Sequence, residues 1–546
     1  MARTPLFRVV TRALRLAQHS LHDERPAAEL TEAACAQLER ARVTRREFVA
    51  GASAVAGIAL LDACALARVR PPAPERDVEP VIVVGAGIAG LTAAYRLRQA
   101  GVPVELYEAQ DRIGGRMWSL RNHFADGQVA ELGGELIDTG HATIRALARE
   151  LGIALDDLAA DDPALATDVW FFGGRRRTEA EVVEAFRPVA ARIERDLATL
   201  RGDDVSYVTP AGAESLDRMS LAEWLDGAGV SGWFRSLLDV AYTTEYGMEP
   251  GEQSALNLLL LIDPTPQPFR VFGESDERFH THDGNDAIPL ELGRRLGDVV
   301  RTGTMLEAVR GRADGRYECA FRRGGSSLTR VASHVLLAIP FTLLRDVRLD
   351  VPLPPVKRRA IAELGYGANA KLMVGVGERV WRTRHGSNGS TLSDLPYQLC
   401  WETSRGQGGR SGIVTNFTGG RHAHSLASGT AAEQAARLTA DLERVFHGFA
   451  AARGGMKEAR MNWPSFPWAR GSYAGYKVGQ WTGIAGAEGE AVDRLYFAGE
   501  HCSRAAQGFM EGGCETGERA AKEILRSVGV PLRKVGAAPR RLLAVA

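Results

Sequence analysis

The pattern of apolar and polar positions is clearest near residue 81, where three short elements follow one another. Val81–Val84 is apolar throughout and predicts a buried strand. Residues 91–100 carry a helical pattern, and Val102–Tyr107 predicts a second strand that ends at Glu108. Strand, helix and strand in this order are typical of a parallel sheet covered by helices.

The rest of the chain alternates between strand-like and helix-like stretches. Residues 131–138 predict a strand, and residues 141–151 predict a helix. Apolar residues recur with helical spacing in 182–200 and 221–240, so residues 151–280 should be mostly amphipathic helix. Strands and a helix return at 281–345. The pattern predicts an α/β protein, and its 546 residues are enough for two sizeable cores.

Glycines stand at the turn between the first strand and the helix. Gly85, Gly87 and Gly90 form G-x-G-x-x-G. The first allows a tight turn, the second lets the backbone approach a pyrophosphate, and the third allows close packing of helix on strand. Glu108 follows about twenty residues later, where a carboxylate can bind a ribose diol. Together these features predict a dinucleotide-binding unit.

Two further segments indicate which dinucleotide binds. Residues 111–116 read DRIGGR, and residues 495–521 contain a strand, Gly499-Glu500 and a glycine-rich turn before a helix. Both segments resemble those of the flavin amine oxidase family, over about residues 79–528. A surface loop is the alternative for DRIGGR, but a nicotinamide-only dehydrogenase would leave the C-terminal segment unexplained.

The resemblance implies FAD as cofactor and an amine oxidase-like fold. A discontinuous Rossmann-like FAD domain would pair with an α+β substrate domain, and Leu306 would lie near the adenine. Ser472 stands where monoamine oxidases carry the cysteine that bonds to FAD, so the cofactor should be non-covalent. The expected FAD-binding residues are Gly85, Gly87, Ala89, Gly90, Glu108, Arg116, Gly133, Gly134, Leu306, Glu500, Gly508 and Met510.

The same resemblance suggests three catalytic residues. Lys371 lies in a strand-like apolar run and would hold a water beside the flavin. Tyr473 and Phe509 would form two walls of an aromatic cage. Trp468 is expected to line the substrate pocket, and simple packing is the alternative. Each residue could instead be an ordinary core or surface side chain.

The substrate is left open between an amine and an amino acid. Leu136 occupies the position where snake-venom-type L-amino acid oxidases carry a carboxylate-binding arginine. Glu135, Asp138, Glu245 and Glu402 could attract a distal cation. We therefore expect a primary or secondary amine or a polyamine, oxidised to an imine that is then hydrolysed, with O2 as acceptor and H2O2 as product. A basic L-amino acid is the alternative.

Composition excludes some functions and leaves others open. The chain has 67 basic and 67 acidic residues, so no basic excess points to nucleic acid. Six scattered cysteines show no metal-ligand spacing, and we expect free thiols and no metal. A carotenoid desaturase-like or protoporphyrinogen oxidase-like enzyme and a non-catalytic flavoprotein are the competing classes. The oligomeric state is open, and a dimer is plausible.

The N-terminal region resembles an export signal. Arg45, Arg46 and Phe48 precede a Gly/Ala-rich apolar stretch that is too short to span a membrane. This resembles a twin-arginine signal, with a cleavage site at Ala65–Ala67, and a lipoprotein box at Cys64 is a weaker alternative. The protein should be periplasmic or exported, or cytoplasmic if the leader is not used.

The predicted boundaries follow from these segments. They are a leader of unknown role (1–43), the twin-arginine segment (44–67), a linker (68–78), the FAD domain (79–150, 281–345 and 466–528), the substrate domain (151–280 and 346–465) and a tail (529–546).

Overall fold

A parallel sheet of five strands forms the centre of the first domain. The computed structural model describes residues 5–22, 26–32, 78–160, 164–166, 168–202, 204–260 and 276–530. The sheet order is Leu495–Phe497, Val335–Leu337, Val81–Val84, Val104–Tyr107 and Val300–Arg301. All neighbouring strands in it are parallel. Segments from both ends and the middle of the described chain therefore build one sheet.

A seven-stranded mixed sheet forms the second domain. Its order is Glu458–Asn462, Asn369–Val376, Gly412–Gly419, Leu399–Glu402, Thr391–Ser393, Val169–Phe172 and Arg175–Arg177. The Asn369–Val376 strand is buried along its whole length and pairs antiparallel with both neighbours. A polar side chain on it must therefore find its partners inside the protein.

Three smaller sheets and the helices complete the fold. The sheets join Ser326–Ala332, Tyr317–Arg323, Thr304–Gly311 and Arg348–Asp350; Ser119–Leu120 and Ala130–Glu131; and Leu155–Asp157 and Phe279–Thr281. The α-helices are Pro5–His22, Ile88–Gln99, Ala142–Leu151, Glu179–Leu197, Glu214–Asp217, Leu221–Gly227, Gly232–Tyr246, Leu256–Leu259, Ala287–Leu296, Phe341–Leu344, Pro355–Glu363, Val380–Thr383, Gly420–Leu426, Ala431–Val445, Phe449–Arg453 and Met510–Ser527. None of these helices combines the length and apolar character needed to cross a lipid bilayer.

The N-terminal helix Pro5–His22 lies in the core of the second domain. Its residues Leu14 and Ala17 are buried in one apolar cluster with side chains of the helices Glu179–Leu197 and Gly232–Tyr246. Arg12 also forms a 2.7 Å ion pair with Glu179. The amphipathic leader expected from the sequence is thus partly a packed helix. The twin-arginine segment, the linker up to residue 77 and the tail from residue 531 lie outside the described residues.

Two predicted elements differ from the structure. Within 131–138 only Glu131 belongs to a strand, Ala130–Glu131, because the paired glycines leave the sheet to pack against other segments. A Cβ atom on Gly134 would lie 2.7 Å from Met510 Cγ. The predicted helix 221–240 is two helices, because Gly229 adopts the left-handed conformation with φ of 71° between them.

Candidate active site

A cavity of about 690 Å³ brings the predicted residues together. Its wall is drawn from both large sheets and from the loops that follow their strands. The predicted residues that line it are Gly85, Gly87, Ala89, Glu108, Arg116, Gly133, Gly134, Glu135, Asp138, Leu306, Lys371, Trp468, Tyr473, Glu500, Gly508, Phe509 and Met510. Gly90 does not line the cavity.

The three glycines of the first turn have separate structural roles. Gly85 adopts φ of +99°, and a Cβ atom there would lie 2.5 Å from the Ala338 carbonyl oxygen. Gly90 packs directly against the backbone of Gly85, so a side chain would not fit. A Cβ on Gly87 would meet no atom within 4 Å. The space beside Gly87 therefore belongs to the cavity, at the start of the helix Ile88–Gln99, where a phosphate would be favoured.

The Glu108 carboxylate is held by the backbone at one end of the cavity. It accepts hydrogen bonds from Ala86 N at 2.7 Å and from Gln110 N at 2.9 Å. Burial raises the pKa of Glu108, and the two backbone donors oppose that shift. Leu306 and Thr304 line the cavity nearby. This arrangement suits a sugar hydroxyl, because a positioned carboxylate can accept a hydrogen bond from it.

Glu500 joins the two ends of the chain. Its Oε1 accepts a 2.8 Å hydrogen bond from Arg116 Nη1, across a separation of 384 residues. Its Oε2 accepts a 2.8 Å hydrogen bond from Gly508 N, and Ala474 N lies 3.3 Å from Oε1. A charged pair fixed by backbone donors in this way positions Arg116 at the cavity wall.

Lys371 lies on the fully buried strand and points its ammonium at the loop 131–135. Nζ donates to Gly133 O at 2.8 Å, to Glu131 O at 3.1 Å and to Glu135 Oε2 at 2.7 Å. Nζ also lies 5.4 Å from the centre of the Trp401 ring. Three acceptors and an aromatic face are enough to compensate a buried ammonium.

Glu135 is occupied by this interaction rather than left open to a substrate. Besides Lys371, its Oε1 accepts from Trp401 Nε1 at 2.8 Å and from Thr403 Oγ1 at 2.9 Å. Burial raises its pKa, but the Lys371 ammonium has the opposite effect, and the net pKa of Glu135 is lowered. The carboxylate is therefore ionised inside the protein.

Tyr473 and Phe509 both line the cavity, and each is supported from behind. Tyr473 Oη donates to Thr244 O at 3.2 Å. The Phe509 ring lies edge-on to His141, with centroids 4.9 Å apart. Trp468 lines the same cavity, whereas Trp481 bonds Asn257 and is not part of the wall. Two positioned rings can orient a small organic substrate.

Ser472 faces the interior beside these aromatic residues. Its Oγ lies 2.9 Å from Gly367 O and 2.5 Å from Asn369 Oδ1. This hydroxyl already forms hydrogen bonds within the protein, and an oxygen atom cannot form the thioether that a cysteine would form. Ser472 therefore provides no covalent attachment for a cofactor.

Asp138 lies at the cavity wall next to His141, the residue that packs against Phe509. Its Oδ1 accepts a 2.6 Å hydrogen bond from Glu277 N, and its own N donates to His141 Nδ1 at 3.0 Å. Burial lowers the pKa of His141 to about 4, so this imidazole is neutral at pH 7. Glu277 also lines the cavity. Glu245 and Glu402 do not line it; Glu402 bonds Trp381 and Arg382 instead.

Sequence reasoning missed the wall that the seven-stranded sheet provides. Phe417 stands opposite Lys371 in the sheet, and Trp401 lies on the same face one strand further. Alternation along a strand places such residues on one face. The sequence alone does not show which strands are neighbours, because Trp401 and Phe417 lie 30 and 46 positions after Lys371 along the chain.

Comparison with known proteins relates this geometry to a family. Residues 88–525 match the family model "Flavin containing amine oxidoreductase". The chain is 26% identical over 464 residues to an L-amino acid dehydrogenase of Synechocystis, covering 81% of this chain and 94% of the relative. It is 26% identical over 463 residues to human flavin-containing amine oxidase B, covering 82% and 86%.

Solved structures show the same fold. Cyclohexylamine oxidase of Brevibacterium oxydans superposes with a TM-score of 0.72 at 23% identity, covering 83% of this chain and 100% of that one. Putrescine oxidase bound to putrescine superposes with a TM-score of 0.70 at 22% identity, covering 82% and 99%. The family match spans most of the chain, and the chain therefore belongs to the flavin-containing amine oxidoreductases.

Proposed function

We propose that this FAD enzyme oxidises an amine that carries a second positive charge, and that O2 accepts the electrons. The carbon next to nitrogen loses a hydride and the nitrogen loses a proton, so a C=N bond forms and water then hydrolyses the imine. Bound FAD supplies the two-electron acceptor. Transfer of both electrons to O2, with two protons, gives H2O2.

The charges of the cavity wall carry the choice of an amine. Among its described residues the cations are Lys371, Arg116 and Arg470, and each has a carboxylate partner: Glu135, Glu500 and Asp346. A substrate carboxylate would have to break one of these pairs, which is costly at the buried Lys371–Glu135 pair and less so at the exposed Arg470–Asp346 pair. Asp138 and Glu277 add two further acidic groups to the cavity wall, which favours a cationic substrate.

The described residues divide the remaining work. Tyr473 and Phe509 hold the substrate amine between two rings, and the surrounding aromatic side chains exclude water. Glu108 would hold the ribose of FAD, and the backbone at Gly87 would leave room for its pyrophosphate. Lys371 supplies a fixed positive charge for the reaction with O2. FAD is bound without a covalent link, since Ser472 replaces the expected cysteine.

A basic L-amino acid is the second candidate. The same acidic residues would receive its side-chain cation, and the Synechocystis relative is by its description an L-amino acid dehydrogenase. The two candidates differ in one group only, the α-carboxylate. They can therefore be separated with matched pairs of compounds.

The test mixes the oxidised protein anaerobically with agmatine or arginine, and with cadaverine or lysine, and follows the loss of flavin absorbance. We expect the decarboxylated member of each pair to reduce the flavin at least about tenfold faster, since an unpaired carboxylate in a dry site costs roughly 1–3 kcal/mol or more. Faster bleaching by arginine and lysine would instead identify a basic L-amino acid as the substrate. Admitting air with a peroxidase-coupled dye then tests O2 as acceptor.

A variant adds the missing cation. Leu136→Arg places a guanidinium at the cavity wall, and we expect it to shift the ratio of rates toward the amino acid in each pair by about tenfold or more. Leu136→Met is the matched control, because it changes shape without charge. A ratio that stays the same in Leu136→Arg would remove Leu136 from the determinants of substrate choice.

We also propose that the chain is exported by the twin-arginine machinery. Arg45 and Arg46 before an apolar Gly/Ala-rich stretch support this, and a protein that must fold around FAD suits a pathway for folded cargo.

A further inference from the structure

We propose that Glu135 is a positioning residue: its carboxylate holds the Lys371 ammonium in place at the cavity wall, and the reaction with O2 depends on this fixed charge pair. The inference rests on the proposed function in one respect only, the role of Lys371 toward O2. It assigns Glu135 to the lysine rather than to the substrate.

The contacts of Lys371 require an ammonium. An ammonium has three N–H donors and no acceptor. Nζ has three oxygen acceptors within 3.1 Å: two carbonyl oxygens, of Glu131 and Gly133, and the carboxylate oxygen of Glu135. Two of them are backbone atoms that hold their position, and Glu135 alone among the three brings a full negative charge. The lysine side chain is 5% exposed and that of Glu135 is 7% exposed, so water screens the pair little.

The carboxylate is itself held in place. Trp401 Nε1 and Thr403 Oγ1 both donate to Oε1, which leaves Oε2 for the lysine. A carboxylate that must reorient to reach its partner stabilises the pair less than one already held in position by hydrogen bonds, because the second needs no reorganisation. Glu135 is therefore built as a fixed counter-charge.

Other ionisable groups near the pair are already engaged with one another. Glu131 Oε1 lies 3.0 Å from His280 Nε2, and both Glu131 oxygens accept from Ser119 Oγ. Burial by itself would lower the pKa of His280. The carboxylates of Glu131 and Glu135 together outweigh burial, so the net pKa of His280 is raised. The strand partners of Lys371, Phe417 and Met461, carry no charge. Glu135 is thus the carboxylate in direct contact with Nζ.

Removing this charge should disturb the position of the lysine. A buried ammonium that keeps two neutral acceptors but loses its counter-charge is costly, so the side chain is no longer held at one place in the cavity wall. Any step that needs a positive charge fixed at that place would then slow.

The experiment measures reoxidation of the flavin without any amine. The FAD-loaded protein is photoreduced anaerobically, mixed with aerated buffer at neutral pH, and followed by flavin absorbance. In Glu135→Gln we expect the rate to fall about tenfold from that of the wild type, toward the slow rate of Lys371→Met.

Two further variants separate charge from packing. Glu135→Asp keeps a carboxylate and should recover part of the rate that Glu135→Gln loses. Thr403→Val removes one hydrogen bond from the same carboxylate and leaves the charge, so its rate should fall less than that of Glu135→Gln. A Glu135→Gln rate equal to that of the wild type would overturn the proposal, and so would wild-type reoxidation no faster than that of free flavin.

A second readout needs no cofactor. Urea unfolding of the FAD-free protein is compared for Glu135→Gln, Lys371→Met and the double variant. We expect both single variants to lower the midpoint, and the double variant to lower it by less than their sum, because it removes both charges together. Additive shifts would show that the charges do not interact and would overturn the proposal. Because neither assay uses an amine, failure of the amine substrate leaves both interpretable.

Discussion

At the scale of single residues, two glycines of one motif have different physical reasons for being glycine. Gly90 has no room for a side chain, since its Cβ would collide with the backbone of Gly85. Gly87 has room in the protein, and a Cβ there would enter only the cavity. One glycine is therefore required by the fold, whereas the other leaves space open in the cavity.

This difference makes a matched pair of variants. We expect Gly90→Ala to destabilise the protein by about 1–3 kcal/mol or more, because the backbone must move apart. Gly87→Ala should keep the unfolding midpoint of the FAD-free protein within roughly 0.5 kcal/mol but lose most FAD on gel filtration. Urea unfolding and the ratio of flavin to protein absorbance measure the two effects. Equal loss of stability in both variants would contradict the assignment.

Residue-level reasoning reaches furthest where the reason for a residue is local. The glycine turn and Glu108 are constrained by neighbours within about twenty positions, and the structure places Gly87 and Glu108 at the cavity. The interaction of Glu135 with Lys371 could not be predicted, because its two partners are 236 positions apart. The sequence showed an acidic residue after two glycines, and only the fold shows which cation it meets.

At the scale of elements, strand and helix types followed from periodicity, whereas pairing did not. The predicted strand 81–84 is Val81–Val84, and the predicted helix 141–151 is Ala142–Leu151. The order of strands in either large sheet depends on contacts between distant segments, and periodicity carries no such information. The periodicity also did not predict the conformation of the glycine-rich part of 131–138. This part packs against Arg116 and Met510 rather than continuing a sheet.

The docking of the N-terminal helix gives a prediction at this scale. Leu14 is 1% exposed within the core of the second domain, and Leu290 on the helix Ala287–Leu296 is 48% exposed. We expect Leu14→Ala to destabilise the protein by about 2–5 kcal/mol, whereas Leu290→Ala should change stability by less than about 0.5 kcal/mol. Thermal or urea unfolding of both variants measures this. Similar midpoints for both would show that the helix contributes little to the domain.

At the scale of the whole molecule, the cavity depends on segments from both ends of the described core. Arg116 and Glu500 meet across it, and strands from three separated stretches form the parallel sheet beneath it. The confirmed fold class was accessible from the sequence because the two glycine-rich segments resemble those of one family. Which residues of each domain form the cavity wall could not be predicted from the sequence, because this depends on how the two sheets are placed relative to each other.

The last prediction concerns how the leader can be processed. Cleavage at Ala65–Ala67 would separate the helix Pro5–His22 from the domain whose core contains it. The helix also holds Glu179 through Arg12, and it packs against the helix Gly232–Tyr246, whose Thr244 supports Tyr473. A folded protein that loses this helix would expose apolar surface and loosen the support behind the cavity. We therefore expect the exported protein to retain residues 5–22, either in an uncleaved chain or as a bound fragment.

Intact-mass analysis of protein recovered outside the cytoplasm, alongside the variant Arg45→Lys with Arg46→Lys, tests this expectation. The wild type should be found outside the cytoplasm with the helix present, and the double variant should remain inside. A mature form that starts after residue 67, lacks the helix and unfolds at the same urea concentration as the full chain would contradict it. In that case the helix would dock on the domain without stabilising it, and the Leu14→Ala variant should then match Leu290→Ala.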